Sequence, residues 1–425
     1  MEEKHFCKQL KEYAAVEENC KVNWKQLTQR YGTLNNRPGD IRSPFARDYT
    51  RILHSMAYRR LKHKTQVFFN IDNDHICTRM EHVSHVESVS YTISNYLGLN
   101  TELTKAIAIG HDLGHAPFGH HGENVLTGLM QEYLPNRTDD KFWHERNGLR
   151  FVDKVELLKN PENKFDNLSL TYAVRDGIIS HCGEEPQQSI RPRDKFIDLE
   201  ASFNKKGQFE PITWEGCVVK ISDIIAYLGR DIEDAMNLGF IEEDAKQKLR
   251  ELAGKCRKGA LNTTVIIHNL ILDVCNSSSF EKGICFSDHG FDSLLQIKDF
   301  NYQYIYKNER LESFKNYAIL VINELFKVLL STYKSQDTFS NIILMKKYYP
   351  KLMQNFACWL AQYVELSIIP TTYSKDLTVK PSACLNEKIY GKLDNKEVFI
   401  QAIIDYIAGM TDRFAVEMFN ELISY

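Results

Sequence analysis

Apolar residues in this chain recur mainly at three- and four-residue spacing, and strict two-residue alternation is short and rare, so the pattern predicts helices. Asn100-Thr101 reads as a helix N-terminus, with Leu103, Ile107 and His111 following at four-residue spacing. Gly114 and Pro117 then end that helix and force a tight turn. Upstream, Val86, Val89, Ile93 and Leu97 mark the inner face of a helix from about Arg79 to Leu97, closed by Gly98. His82 lies on that face, one turn before Val86. Between Arg47 and Leu61, the positions Tyr49, Ile52, Leu53, Met56, Ala57 and Leu61 form one stripe of a single helix. Residues 171–181 read as another helix. Over residues 217–236, Cys217, Ile221, Leu228 and Ile232 make an apolar stripe, while Asp223, Tyr227 and Asp231 occupy a separate strip at four-residue spacing.

Elsewhere the pattern is coarser. Residues 1–35 read as a weak helix and polar lead-in, 71–79 as a polar break, and 124–160 as helix, loop, helix. Residues 241–310 look mixed, with a loop-like CNSSSFEKGICFSDHGFDS, and helices dominate again from about 311, broken by the polar stretch 370–396. The run AILVINELFKVLL (318–330) is too short to span a bilayer and reads as a buried helix. The expected fold is all-α, with a core in residues 1–240 and a helical lobe in 241–425 that DYIAGMTDRFA packs back on the core.

Composition adds exclusions. In 425 residues, 43% are hydrophobic, enough for a sizeable core, and a net charge of −3 does not suggest a nucleic-acid binder. Ten cysteines without a Cys-x-x-Cys pair read as reduced core thiols. The N-terminal MEEKHFCKQLKEY has no signal-peptide core. These features together predict a cytoplasmic protein with no membrane partner.

The chemistry concentrates in HDLGHAPFGHHGE, residues 111–123, which holds four histidines, an aspartate and a glutamate. Imidazoles and carboxylates ligate divalent metals and move protons near neutral pH. The turn should bring His115, His120 and Glu123 together, with His120 and Glu123 on one helical face. Arg42, Arg47, Arg51, Arg59, Arg60, Lys62 and Lys64 form either a solvated basic face or a phosphate-facing one. The strip of Asp223, Tyr227 and Asp231 faces either solvent or a site.

His82, then His111-Asp112, then a distant helical aspartate resembles the HD-domain phosphohydrolases. The turn at 111–123 is similar to that of the deoxyguanosine triphosphate triphosphohydrolases (dGTPases) and related deoxynucleotide triphosphohydrolases. Residues 42–68, 171–181, 220–235 and 405–415 resemble further blocks of that family, spread over about nine-tenths of the chain in family order. FWHERNGLR (142–150) resembles another, usually written with asparagine and glutamine where this chain has Glu145 and Asn147.

The resemblance implies an HD-type helical core binding one divalent ion, Mn²⁺ or Mg²⁺, through His82, His111, Asp112 and Asp223. It implies water attack on the α-phosphorus of a deoxynucleoside triphosphate (dNTP), releasing deoxynucleoside and tripolyphosphate. His120 is then the candidate proton carrier, oriented by Glu123, with His115 on the phosphate or sharing the acid role. Arg51, Gln66, His144, Tyr227 and Asp231 are the candidate substrate contacts, and the basic segment would neutralise the triphosphate. Relatives assemble as homo-oligomers, often hexamers or tetramers, and a nucleotide or single-stranded DNA effector fits the pattern. The alternatives are an HD-fold phosphodiesterase or alarmone hydrolase, and a nucleotide-sensing or single-stranded-DNA-binding protein without catalysis.

Overall fold

The computed structural model describes residues 9–34, 39–68, 75–135, 141–182, 186–254, 263–373 and 377–424. Expectations for residues 1–8 and 71–74 lie outside the described residues. The fold is all-α, and its first half is laid out by local capping. After the short α1 (Trp24–Leu27), α2 (Pro44–His54) starts where Ser43 Oγ accepts the Ala46 N–H and Pro44 occupies the first turn. The stripe read as one helix over 47–61 is broken at Ser55. Its hydroxyl donates to the Ile52 carbonyl at 2.7 Å and accepts the Tyr58 N–H at 3.1 Å, starting α3 (Met56–Arg60) afresh. The new direction leaves Met56 53% exposed, so it is not on the inner face.

Helix α4 (Arg79–Leu97) opens with a Thr78/Glu81 capping box and closes at left-handed Gly98. Helix α5 (Thr101–Gly110) is capped by Asn100, which accepts two backbone N–H groups. Then come α6 (Gly119–Tyr133), α7 (His144–Arg150), α8 (Tyr172–Ser180), α9 (Leu199–Ser202) and the 24-residue α10 (Trp214–Asn237). Helices α4, α5 and α10 pack together, α2 lies on α5, and α7 and α8 pack on each other. Helix α10 buries Val219 and Ala226 in one apolar cluster and Ile221, Ile225 and Leu228 in another. Each of the valine, leucine and isoleucine side chains contributes roughly 1.5–3 kcal/mol on burial, so the helix that carries Asp223 is held on two sides.

Residues 241–310 are mostly helical, contrary to the mixed reading: α11 (Glu243–Gly254), α12 (Thr263–Ser277) and α13 (Asp288–Asn301), the last continued by a π-helical turn at Tyr302–Tyr306. Ile266, Leu270 and Val274 give α12 its buried stripe, and the serine-rich loop is confined to the few residues between α12 and α13. Strands among the described residues are two antiparallel two-residue pairs: β1 (Leu158–Lys159) with β2 (Phe165–Asp166), and β3 (Ser189–Ile190) with β4 (Ile284–Cys285).

The C-terminal helices are α14 (Arg310–Leu330), α15 (Thr338–Met345), α16 (Pro350–Leu360), α17 (Lys396–Ala408) and α18 (Asp412–Ile423). Helix α14 packs on α6, α17 and α18. It is not buried all round, since Ile319 and Leu320 are nearly half exposed. No helix among the described residues is long and apolar enough to cross a membrane. Two aspartates of the DYIAGMTDRFA stretch bond residues of the first half. Asp405 takes a fork from Arg150, and buried Asp412 accepts from Thr65 N at 3.0 Å, Thr65 Oγ1 at 2.8 Å and Phe118 N at 2.8 Å. Asp412→Ala should therefore strand buried donors and cost about 1–3 kcal/mol or more in urea unfolding. Asp412→Asn, which keeps one acceptor oxygen, should cost less.

Candidate active site and metal centre

Helix α5 stops at Gly110, and residues 111–118 turn back to start α6. Two successive left-handed residues, Phe118 (φ 64°) and Gly119 (φ 59°), make the reversal, with the Phe118 N–H held by Asp412. Gly114 is a position where only hydrogen fits. A Cβ there would lie 2.1 Å from both the His144 carbonyl oxygen and the Gly148 nitrogen. The turn is thus pressed onto α7, and Asn147 Nδ2 donates to the Gly114 carbonyl at 2.7 Å. That contact sets His144 beside His115. Gly114→Ala should force α7 away at a cost of about 1–3 kcal/mol, seen as a lower melting temperature together with lost turnover.

The four expected ligands converge. His82 Nε2 is 3.0 Å from Asp223 Oδ1, and His111 Nε2 is 3.5 Å from Asp112 Oδ1 and 3.7 Å from Asp223 Oδ1. His111 Nδ1 bonds the Ala108 carbonyl at 2.6 Å, which fixes the proton there and leaves Nε2 as a lone-pair donor. That Nε2 is buried and has no hydrogen-bond partner. Burial works to raise the Asp112 pKa, yet His115, Arg79 and His111 hold it well below the usual carboxylate range. Asp223 is likewise lowered against its own burial, chiefly by His82. The reciprocal effect on His82 is an upward shift that overcomes burial. Two ionised carboxylates facing buried imidazole nitrogens are a donor set that fits a divalent cation.

His181 was not among the residues read from the sequence, and it belongs here. It caps α8 as His111 caps α5, with Nδ1 on the Ile178 carbonyl at 2.7 Å and a buried, unpartnered Nε2. Burial, with His111 beside it, pushes its pKa down to about 3, so it is neutral and able to ligate. Its Nε2 or Nδ1 lies within 4.8 Å of ligand atoms of His111 and Asp223. The signal was available, since both histidines end an apolar helix three residues after the carbonyl that orients them.

Glu123 does not serve His120 alone. Three rings turn Nδ1 toward its carboxylate: His115 at 2.5 Å, His144 at 3.1 Å and His120 at 3.6 Å. His115 and His144 stack with centroids 3.6 Å apart. Burial raises the Glu123 pKa, but His144 and His115 outweigh it and keep the carboxylate ionised. Burial pushes His115 down to about 3, whereas Glu145 and Glu123 overcome burial at His144 and lift it to about 9. One ring is therefore neutral and its neighbour cationic at neutral pH. His120 is the exposed member, with its side chain 58% accessible.

His82, Asp112, His181 and Asp223 of the first group and all four residues of the second line one cavity of about 1040 Å³, shared with Gln66, Tyr227, Asp231 and Tyr306, whereas fully buried His111 does not line it. Gln66 Oε1 is buried without a partner. Tyr306 donates to Asp231, whose pKa burial lifts to about 6. Arg51 is a correction: its guanidinium binds the carbonyls of Leu168 and Asn167, and it does not line the cavity. The same holds for the rest of the basic segment. Arg42 and Arg47 pair with Asp40, Arg60 pairs with Glu156, Lys64 bonds the His115 and Ala408 carbonyls, and Arg59 and Lys62 are exposed. Among the described residues, the lysines and arginine that line the cavity are Arg79, Lys141, Lys205, Lys206 and Lys298.

A family model described as HD domain matches residues 79–228, the span from α4 through most of α10. One described as phosphohydrolase-associated domain matches residues 375–421. A deoxyguanosinetriphosphate triphosphohydrolase-like protein of Desulfatibacillum aliphaticivorans is 32% identical over 389 residues, covering 91% of this chain and 89% of that protein. This chain belongs to the dGTP triphosphohydrolase-like family of HD-domain proteins. Identically named relatives of this family include one from Caldanaerobacter subterraneus subsp. tengcongensis, 30% identical over 90% of this chain and 86% of its own length. Another, from Clostridium tetani, is 34% identical over 72% of this chain and 78% of its own length. The dGTP triphosphohydrolase-like assignment supports a phosphohydrolase, and the buried His/Asp cluster is one that could hold a divalent metal ion.

Proposed function

We propose that this chain hydrolyses deoxynucleoside triphosphates, dGTP or several dNTPs, to deoxynucleoside and tripolyphosphate. The observation that carries the reading is that His82, Asp112 and Asp223 line the same cavity that presents His120, with buried His111 within 3.7 Å of both carboxylates. The relatives' name supplies the substrate class. One ion, Mn²⁺ or Mg²⁺, held by those four residues would polarise a phosphate oxygen and orient water. His120, exposed to the cavity, hands a proton to the leaving 5′-oxygen. Glu123 and the His115–His144 stack keep a second proton within reach of it. Arg79, already fixed to Asp112 at 2.9 Å, and the cavity lysines face the phosphate charge. Gln66, Tyr227 and Asp231 close around the sugar, and His144 remains a contact candidate through its cationic ring.

The test is product analysis of each dNTP and its ribonucleotide with Mn²⁺ or Mg²⁺. Tripolyphosphate and deoxynucleoside are expected from the deoxy forms. If Gln66, Tyr227 and Asp231 leave no room for a 2′-hydroxyl, the ribonucleotides should react slower by roughly 10²-fold or more. Pyrophosphate with a nucleoside monophosphate, or equal rates for GTP and dGTP, would contradict the reading.

A further inference from the structure

Glu123 and the three histidines around it have the makings of a metal site of their own. One nitrogen each of His115, His120 and His144 and a Glu123 oxygen all lie within 4.8 Å of one another. In a tetrahedral zinc site, with Zn–N of about 2.0–2.1 Å, ligand atoms stand about 3.3 Å apart. The nitrogen-to-oxygen distances here are 2.5 and 3.1 Å to Glu123 Oε1, from His115 and His144, and 3.6 Å to Oε2, from His120. His115 Nδ1 and Glu123 Oε1 are buried and make no well-directed hydrogen bond despite their closeness. One of the rings is also backed as zinc-binding imidazoles are, by a carboxylate on the far nitrogen, His115 Nε2 on Asp112 at 3.0 Å. His120, exposed to the cavity, leaves a path of entry.

We propose that His115, His120, Glu123 and His144 form a second divalent-cation site, suited to zinc, distinct from the His82/His111/Asp112/Asp223 centre, and that filling it blocks the enzyme. Three nitrogens and one oxygen in tetrahedral reach favour Zn²⁺ over Mn²⁺ or Mg²⁺, which prefer six mostly oxygen ligands. A cation on His120 Nδ1 and on Glu123 immobilises the proton carrier together with the carboxylate beside it. The inhibitory consequence rests on the hydrolase reading, whereas the binding does not.

The experiment is equilibrium dialysis against Zn²⁺ with metal counted by mass spectrometry, on the full chain. Wild type should take up two ions and Asp223→Ala one. Adding His120→Ala to Asp223→Ala should weaken the remaining site at least tenfold, and adding Glu123→Gln should abolish it, with circular dichroism confirming helical content in each. Co²⁺ in Asp223→Ala should give the strong visible absorption of tetrahedral cobalt. Zinc beyond one equivalent should lower dNTP turnover at saturating Mn²⁺. An Asp223→Ala chain that binds no zinc, or binds it equally well after His120→Ala and Glu123→Gln, overturns the site whether or not dNTPs are substrates. Two bound zinc ions with undiminished turnover overturn the inhibition.

Discussion

Asp223→Ala is expected to abolish turnover and release the divalent ion while leaving the helices intact. Asp223 Oδ1 stands 3.0 Å from His82 and 3.7 Å from His111, so it is the carboxylate both imidazoles share. Losing an outer partner of a metal ligand typically costs 10–100-fold in affinity or activity, and loss of a ligand itself should exceed that. The fold should survive because Asp223 sits on the less buried strip of α10, whose Ile221, Ile225 and Leu228 remain packed. Manganese content by mass spectrometry, turnover and circular dichroism on one preparation decide it. Full metal content with normal turnover in Asp223→Ala would remove Asp223 from the ligand set. Chelation of wild type with EDTA should give the same loss of activity, reversed by Mn²⁺.

His120→Ala separates proton transfer from metal assembly. Turnover should fall by roughly 10²–10⁴, the scale of losing a positioned acid or base, while manganese content and dNTP binding stay unchanged. The 58% exposure of His120 makes a folding defect a poor explanation for such a loss. A single-turnover rate near wild type with a lowered melting temperature would reduce His120 to a structural residue of the first turn of α6. Glu123→Ala should behave differently from the simple loss of an orienting group. It removes the buried charge that the cationic His144 faces, and breaking such a pair costs about 3–5 kcal/mol. Its melting temperature should therefore drop together with its rate, whereas His120→Ala should lose rate alone.

What could be read from the sequence was what local spacing encodes. The bounds of α4, α5 and α10 followed from Gly98, Asn100 and the apolar stripes, and the turn at 111–118 from Gly114 and Pro117. Those elements alone bring His82, His111, Asp112 and Asp223 together. Contacts made across the chain left no such trace. The basic residues of 42–64 read as either solvated or phosphate-facing, but Arg51, Arg60 and Lys64 are held by Leu168, Glu156 and Ala408, distant partners that local pattern does not reveal. The break at Ser55 was hidden because serine is tolerated in helices until its hydroxyl is seen capping the next one. Tyr306 and Lys298 reach the cavity from the segment 241–310, whose pattern read only as mixed. His144 drew notice only through its block, and its pairing with Glu123 depends on Gly114 letting α7 approach.

The central claim is that water is added to the α-phosphorus of a dNTP at this centre. Turnover of dGTP in ¹⁸O-labelled water, followed by mass spectrometry of the separated products, tests it most directly. One labelled oxygen should appear in tripolyphosphate and none in deoxyguanosine. Label in the nucleoside hydroxyl, or in orthophosphate or pyrophosphate formed in place of tripolyphosphate, would contradict the account.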